Sequence, residues 1–479
     1  MADPTELDAD ALSSAIHARD VSCREVMQAY LSRIERLNPH FNAIVNMAPA
    51  EQLLLQADER DAELARGLSR GWMHGMPQAI KDTAHALGFP STMGSRTLEH
   101  AQAPVDSLYV ARMKAAGCIV IGKTNMPEFG LGSHTFNDVF GATGNAWDTS
   151  RSAGGSSGGA AVALAQRLLP VADGSDFMGS LRNPAGWNNV FGLRPSQGRV
   201  PGWPRPDVWV SQLATDGPMA RNVRDLAQLL SIQAGHDPRA PLSIAQGPQD
   251  FVPREAPDPK SIRIGWLGDL NGHLAMEAGI LPLCEKALGA LASSGAHVEA
   301  LAPAFQAEAV WSAWLVWRRA LVAPNVGAVL AQAGAREKIK PEALWEHDSA
   351  SNLSFAEFMR ASQQRSIFLN QMLAMLEGRD ALALPVAQVW PFDVEARWPE
   401  NIAGRPMDTY HRWMEVTLYA TFAGLPAICV PCGFDPQGRL PMGLQLIGRP
   451  GGDRALLELA ALYEQLMADA IRRRPAEPV

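Results

Sequence analysis

Six small residues, Gly154-Gly155-Ser156-Ser157-Gly158-Gly159, run without a break into Ala160-Ala161-Val162-Ala163-Leu164. A Gly/Ser tract by itself behaves as flexible coil. A glycine loop ahead of a helix can also cradle an anion on its N–H groups, and a serine-bearing loop can carry a nucleophile. The residues downstream remove the first option. Gly158 to Leu169 is an unbroken run of helix formers, apolar on every side, and such a helix is stable only when buried. The tract is therefore the start of a core helix, in a chain large enough to enclose one.

The chain supplies that core. Of 479 residues, 47% are apolar and 19% charged, which argues against disorder. A formal charge of −8 gives no global reason to bind nucleic acid or an acidic membrane, and favours small or neutral substrates. Length alone suggests roughly three domains at ~150 residues each. The absence of repeats and long linkers instead favours one large α/β domain over 1–479. A mostly helical segment is inserted at about 303–379, and pocket residues are expected as far as about 415. The opening MADPTELDAD lacks the basic and apolar regions of a signal peptide, and no run approaches ~18 apolar residues. Five cysteines form no disulfide framework. A cytoplasmic, membrane-free protein is expected. The lone Cys429-Val-Pro-Cys432 lies in an apolar β-like run and reads as buried strand cysteines rather than a zinc or redox site.

Local patterns place the elements. Ser22-x-x-Glu25 is a capping box, after which Val26, Tyr30, Ile34 and Leu37 recur at helical spacing before Pro39. A second helix spans about 49–66. "MPQAIKD" and "CIVIGKTN" are short strands flanking the helix "SLYVARMKAAG", a βαβ pattern that predicts a largely parallel sheet. Further helices are expected at 220–235, 281–292 and 454–468, with strands at "SIRIGWLG", "AHVEAL", "ALALPVA", "LPAICVPC" and "MGLQLIG".

Serine hydroxyls need a base. None of the 11 histidines, His85 and His134 included, sits in a Ser/His/Asp signature, and there is no G-x-S-x-G elbow. Each reads as structural. Lysine serves as a base when burial suppresses its charge. Lys81, at the end of an apolar strand where α/β proteins build their sites, is the best candidate. Its neighbour Asp82 could hold it, yet would also favour its charged form.

These motifs together resemble the amidase signature family. "GMPQAIKD", "GKTNMPEFG", "FGATGNAWDTSRSAGGSSGG", "GSDFMGSLRNPAGWNNVFGLRPSQGRV", "DGPMARNVRD", "AGLPAICVPCG" and "PMGLQLIGRP" follow the family's landmarks in order, from about residue 7 to 465. The resemblance implies a large mixed β-sheet surrounded by helices and a Ser–cis-Ser–Lys triad without metal or organic cofactor. Carried over by position, Ser180 is the nucleophile, Ser156 the bridging serine after a cis peptide bond, and Lys81 the base. The N–H groups of Phe177, Met178, Gly179 and Ser180 form the oxyanion hole. Ser157, Asp176 and Arg182 brace the loop.

Met178 departs from the family, which usually has glycine there. Its long apolar side chain is expected to line or narrow the pocket. Trp187, Tyr410 and Trp413 are further substrate-contact candidates, whereas Trp311, Trp314 and Trp317 read as core. The implied activity is hydrolysis of carboxamide C–N bonds through an acyl-enzyme, with anilides, esters and carbamates in range. Amide and water are the partners, and a homodimer is left open. The alternative within the family is a glutamine-dependent amidotransferase subunit. Outside it, a non-catalytic nucleotide or anion binder is the rival, although no G-x-x-x-x-G-K-[ST] accompanies the loop.

Overall fold

The computed structural model describes residues 3–247 and 249–478. Its core is an eight-stranded sheet. In spatial order the strands are His297–Ala300, Arg263–Trp266, Ala381–Pro385, Pro441–Ile447, Ala427–Phe434, Phe191–Arg194, Thr215–Ala220 and Ala172–Asp176. Only the two pairings at the first edge are parallel; the other five are antiparallel. The expectation of a largely parallel sheet is thus corrected, and the mixed sheet implied by the family resemblance stands. The physical reason is local: a short turn after Phe434 returns the chain directly as Pro441–Ile447, a hairpin that needs no crossover helix. The βαβ pattern near the start does form a parallel pair, Pro77–Lys81 beside Ile119–Thr124, but in a separate three-stranded sheet.

Helices cover both sheets. The capping box is complete, with Ser22 and Glu25 each bonded to the other's backbone, and it opens Cys23–Phe41. That helix runs past Pro39, near its last turn, and ends at Asn42 in left-handed conformation. The inserted segment folds as Ala307–Leu330, Pro341–Asp348 and Phe355–Leu376. Trp311, Trp314 and Trp317 are all buried there, as their spacing predicts.

The Gly/Ser tract opens the helix Gly158–Ala165, whose residues Gly158 to Leu164 are all buried. Gly159 shows why the tract cannot carry side chains: a Cβ there would lie 2.5 Å from both Ala43 O and Asn125 N. The glycines face closely packed protein atoms, leaving no room for a phosphate on that side. Cys429 and Cys432 are free and buried on Ala427–Phe434, and Cys432 Sγ lies 3.9 Å from Cys284 Sγ. No helix among the described residues is long and apolar enough to cross a membrane.

Candidate active site

Three chain segments meet at Lys81. Its strand, Pro77–Lys81, is buried at every position and ends at this residue. Lys81 Nζ lies 2.8 Å from Ser156 Oγ, 2.8 Å from Ser157 Oγ and 3.0 Å from Ser175 Oγ. Burial lowers its pKa to about 7, against the pull of Asp216, Asp176 and Asp173 toward the charged form. Asp173 accepts the Lys81 backbone N–H at 3.1 Å and the Tyr109 hydroxyl at 2.8 Å, fixing the strand end. Asp82 does not serve Lys81: its carboxylate pairs with buried Lys123 at 3.3 Å and accepts from Thr92.

The Gly155–Ser156 peptide bond is cis. The Ser157 N–H donates to Ser180 O at 3.2 Å, which ties the glycine loop to the segment following Ala172–Asp176. Ser156 and Ser180 are 3% and 5% exposed, so both are buried. Among the described residues no side-chain hydrogen bond joins Ser156 to Ser180. The structure therefore brings Lys81 and Ser156 into contact and sets Ser180 beside them without closing the last link.

A buried ion cluster holds the loop that carries Ser180. Asp176 accepts from Gly179 N at 2.8 Å, Leu181 N at 3.3 Å and both Arg182 Nε and Nη2 at 3.0 Å, with Arg194 Nη1 3.5 Å away. Burial would raise the Asp176 carboxyl, but Arg182 and Arg194 outweigh it and hold the group well below the carboxylate range. Arg182 reaches on to Gln445 and Thr421. Gly179 takes a left-handed φ of +88°, and a Cβ there would lie 2.5 Å from Thr417 Oγ1. Because the Gly179 N–H is already given to Asp176, it is removed from the expected oxyanion donors. The N–H groups of Phe177, Met178 and Ser180 have no such partner among the described residues.

The side chain of Met178 does not take the position expected of it. Met178 is 2% exposed within the main core, its carbonyl accepting from Thr417 at 2.9 Å. It does not line a pocket. Phe177 is half-buried, its ring 5.4 Å from that of Trp314 and 5.4 Å from the Arg318 guanidinium carbon. Trp187 and Trp413 stack on each other at 6.0 Å with both rings buried, so the expectation that they touch substrate is corrected. The Tyr410 hydroxyl lies 2.6 Å from Arg318 Nη2 and 2.6 Å from Glu346 Oε1, and Arg318 pairs with Glu346. Tyr410 nevertheless packs in a second apolar cluster with Leu131, Val322 and Val326, against which Phe177 also rests.

Sequence reasoning missed Ser175 as a partner of Lys81 and the group of Arg318 and Glu346. A signal existed for Arg318: it follows Trp314 by four residues on the same helical face. His134, as expected, is structural, bonded to Val394 O and Ser152.

A buried lysine of lowered pKa thus lies among three serines, beside a braced glycine turn. A family model described as Amidase matches residues 25–457, and the chain belongs to that family, whose enzymes hydrolyse carbon–nitrogen bonds. Among curated relatives, a glutamyl-tRNA(Gln) amidotransferase subunit of Cyanothece sp. is 32% identical over 475 residues, covering 95% of this chain and 96% of the relative. Among solved structures, a bacterial aryl acylamidase of the amidase signature family superposes with a TM-score of 0.90 at 28% identity, covering 98% and 99% of the two chains. The glutamyl-tRNA(Gln) amidotransferase subunit from Thermotoga maritima gives 0.77 at 27% identity, covering 97% and 96%.

Proposed function

We propose that the chain hydrolyses the C–N bond of a carboxamide with Ser180 as nucleophile, Ser156 as relay and Lys81 as base. The observation carrying this reading is the neutralising burial of Lys81 with its Nζ 2.8 Å from Ser156 Oγ. A neutral amine donates two protons and accepts one. With Ser157 and Ser175 as acceptors, its lone pair faces Ser156. Ser156 gives its proton to Nζ as it takes the Ser180 proton, and Ser180 Oγ attacks the carbonyl carbon. The new oxyanion is met by the N–H groups of Phe177, Met178 and Ser180, each such donor being worth about 10²–10³ in rate. Collapse breaks the C–N bond, the proton returns through Ser156 to the leaving nitrogen, and water then cleaves the acyl-enzyme by the same relay. Substrate binding must draw Ser180 Oγ onto Ser156, a tightening common between free and loaded enzymes.

Two settings use this chemistry. The curated relatives give the stronger support to a glutamine-dependent amidotransferase subunit, which would release ammonia from glutamine for a partner enzyme. The half-buried Phe177 and the apolar cluster beside it support a free-standing amidase for acyl anilides, in line with the higher structural similarity to the aryl acylamidase. The purified chain, assayed with glutamine and with an acyl anilide, separates them. Anilide turnover by the chain alone supports the free-standing enzyme, whereas glutaminase activity that appears only with partner subunits supports the other. Turnover that survives Ser180→Ala refutes the mechanism in both settings.

A further inference from the structure

The inserted helices reach the catalytic loop through Arg318. This residue of Ala307–Leu330 is 1% exposed, and its guanidinium carbon lies 5.4 Å from the Phe177 ring and 5.6 Å from the Tyr410 ring. Trp314, one turn earlier on the same helix, stands 5.4 Å from Phe177. Phe177 itself directly follows the strand Ala172–Asp176 and precedes the braced turn at Gly179.

Partners from two other segments fix the guanidinium. Its Nε donates to Glu346 Oε1, on Pro341–Asp348. Its Nη2 donates to the Tyr410 hydroxyl at 2.6 Å, which donates in turn to Glu346 Oε1 at 2.6 Å. The three groups close a ring, and all three residues are buried. Stability does not account for such a ring, because apolar side chains of similar volume often serve as well as a buried ion pair. What the polar ring adds is direction. A forked guanidinium held at two nitrogens has one orientation, and its charge attracts an aromatic face.

The surroundings tie this ring to the reaction. Leu131 packs in the same apolar cluster as Tyr410. It sits between Gly130, where a Cβ would lie 3.6 Å from Ser156 Oγ, and Gly132, where one would lie 3.9 Å from Tyr410 Cε2. The cluster therefore begins beside the relay serine, and the half-buried Phe177 rests against it.

We propose that Arg318, held by Glu346 and Tyr410, is a positioning residue that sets the Phe177 ring as the wall for an aromatic substrate group. It thereby determines a preference for aryl over short alkyl amides. Arg318 touches no reacting atom and acts through Phe177. The assignment rests on the free-standing amidase reading.

Isothermal titration of the full chain with 4-phenyl-2-butanone and 2-butanone tests it. Both present a carbonyl, neither has a C–N bond to cleave, and they differ by one phenyl group. In the parent the phenyl ketone should bind saturably and about tenfold more tightly. Arg318→Lys keeps the charge and loses the fork. Combining Arg318→Met, Glu346→Met and Tyr410→Phe removes the ring and leaves no charge unpaired, so the test stands even if Arg318→Lys fails to fold. Each should cut the phenyl advantage about fivefold, with a parallel fall in kcat/KM for an acyl anilide relative to acetamide. In a Phe177→Ala background neither change should lower the advantage further, a non-additivity that general destabilisation would not produce. Absence of saturable binding, equal binding of the two ketones by the parent, an undiminished advantage in the variants, or the same fall without Phe177 overturns the proposal. Turnover that survives Ser180→Ala would refute the mechanism and leave the titration standing, since neither ketone is hydrolysed.

Discussion

Lowering the pH from 8 to 6 should switch this enzyme off through one side chain. Burial takes Lys81 from 10.5 to about 7, and only the neutral amine can accept the relay proton. About nine-tenths of the molecules hold neutral Lys81 at pH 8, about half at pH 7 and about one-tenth at pH 6. The rate at subsaturating substrate should therefore fall roughly tenfold across those two pH units. Asp216 contributes most to favouring the charged form, from a position directly across the ladder from Ser175. Asp216→Asn should accordingly move the acid limb to lower pH, although Asp216 touches no reacting group. The assay is kcat/KM against pH for both proteins on one uncharged amide. A profile flat down to pH 5.5, or an Asp216→Asn limb displaced toward alkali, would refute the reasoning.

The same displacement has a stability consequence with a definite sign. The unfolded lysine holds a proton below 10.5, the folded one only below about 7. Between those values unfolding takes up a proton, so stability rises with pH through this window. The penalty is absent above 10.5 and complete below about 7, where it reaches roughly 5 kcal/mol. Lys81→Met, inactive by construction, should gain most over the parent at pH 6 and lose that advantage toward pH 10. Thermal unfolding of both proteins across that range reads the difference, and a pH-independent gap would contradict a neutral buried lysine.

Ser180→Ala should reduce turnover by at least about 10³-fold with an unchanged melting temperature, measured by kinetics and calorimetry on one preparation. Asp176→Asn leaves the Arg182 and Arg194 guanidiniums, both fully buried, without their carboxylate. It should cost about 3–5 kcal/mol, and kcat should fall more than KM rises because the oxyanion donors lose their brace. Phe177→Ala should change the ranking of anilides against short aliphatic amides, whereas Met178→Ala should leave the ranking intact and lower stability by about 2–5 kcal/mol; the reverse pattern would restore Met178 as the pocket wall.

What the sequence carries legibly here is what depends on neighbours along the chain. The Ser22–Glu25 box, the helix Ala50–Ala65 and the strand ending at Lys81 each rest on spacing within a few residues. Ordered motifs also pointed to Lys81, Ser156 and Ser180, of which the structure puts Lys81 and Ser156 in direct contact. Strand pairing is a different matter, since the eight-stranded sheet is assembled from segments up to about 270 residues apart and its antiparallel majority follows from tertiary packing. The inward packing of Met178 and the more exposed position of Phe177 were equally hidden. Which of two adjacent apolar residues faces inward depends on how a turn leaves its strand, which spacing along the chain does not fix.

One five-residue strand, Ala172–Asp176, serves both halves of the site by simple alternation. Asp173 and Ser175 point to Lys81, while Asp176 points to Arg182 and the nucleophile's loop. A slip of one residue would exchange the two sets, so the register against Thr215–Ala220 fixes lysine and loop together. Gly174 lies between them and is the sensitive point. A Cβ there would come within 2.7 Å of both Ser157 Oγ and Leu181 Cδ2, two fully buried side chains. Gly174→Ala should cost about 1–3 kcal/mol and rotate Ser157 off Lys81, lowering kcat. If the loss of activity passes through Ser157, removing that hydroxyl also removes its close contact with the new Cβ, leaving only the one with Leu181. The double variant Gly174→Ala, Ser157→Ala should then be no slower than Ser157→Ala alone, a non-additivity expected of groups in direct contact. Strictly additive losses would mean that Gly174 acts on the site by another route, through Leu181 and the loop rather than through the lysine.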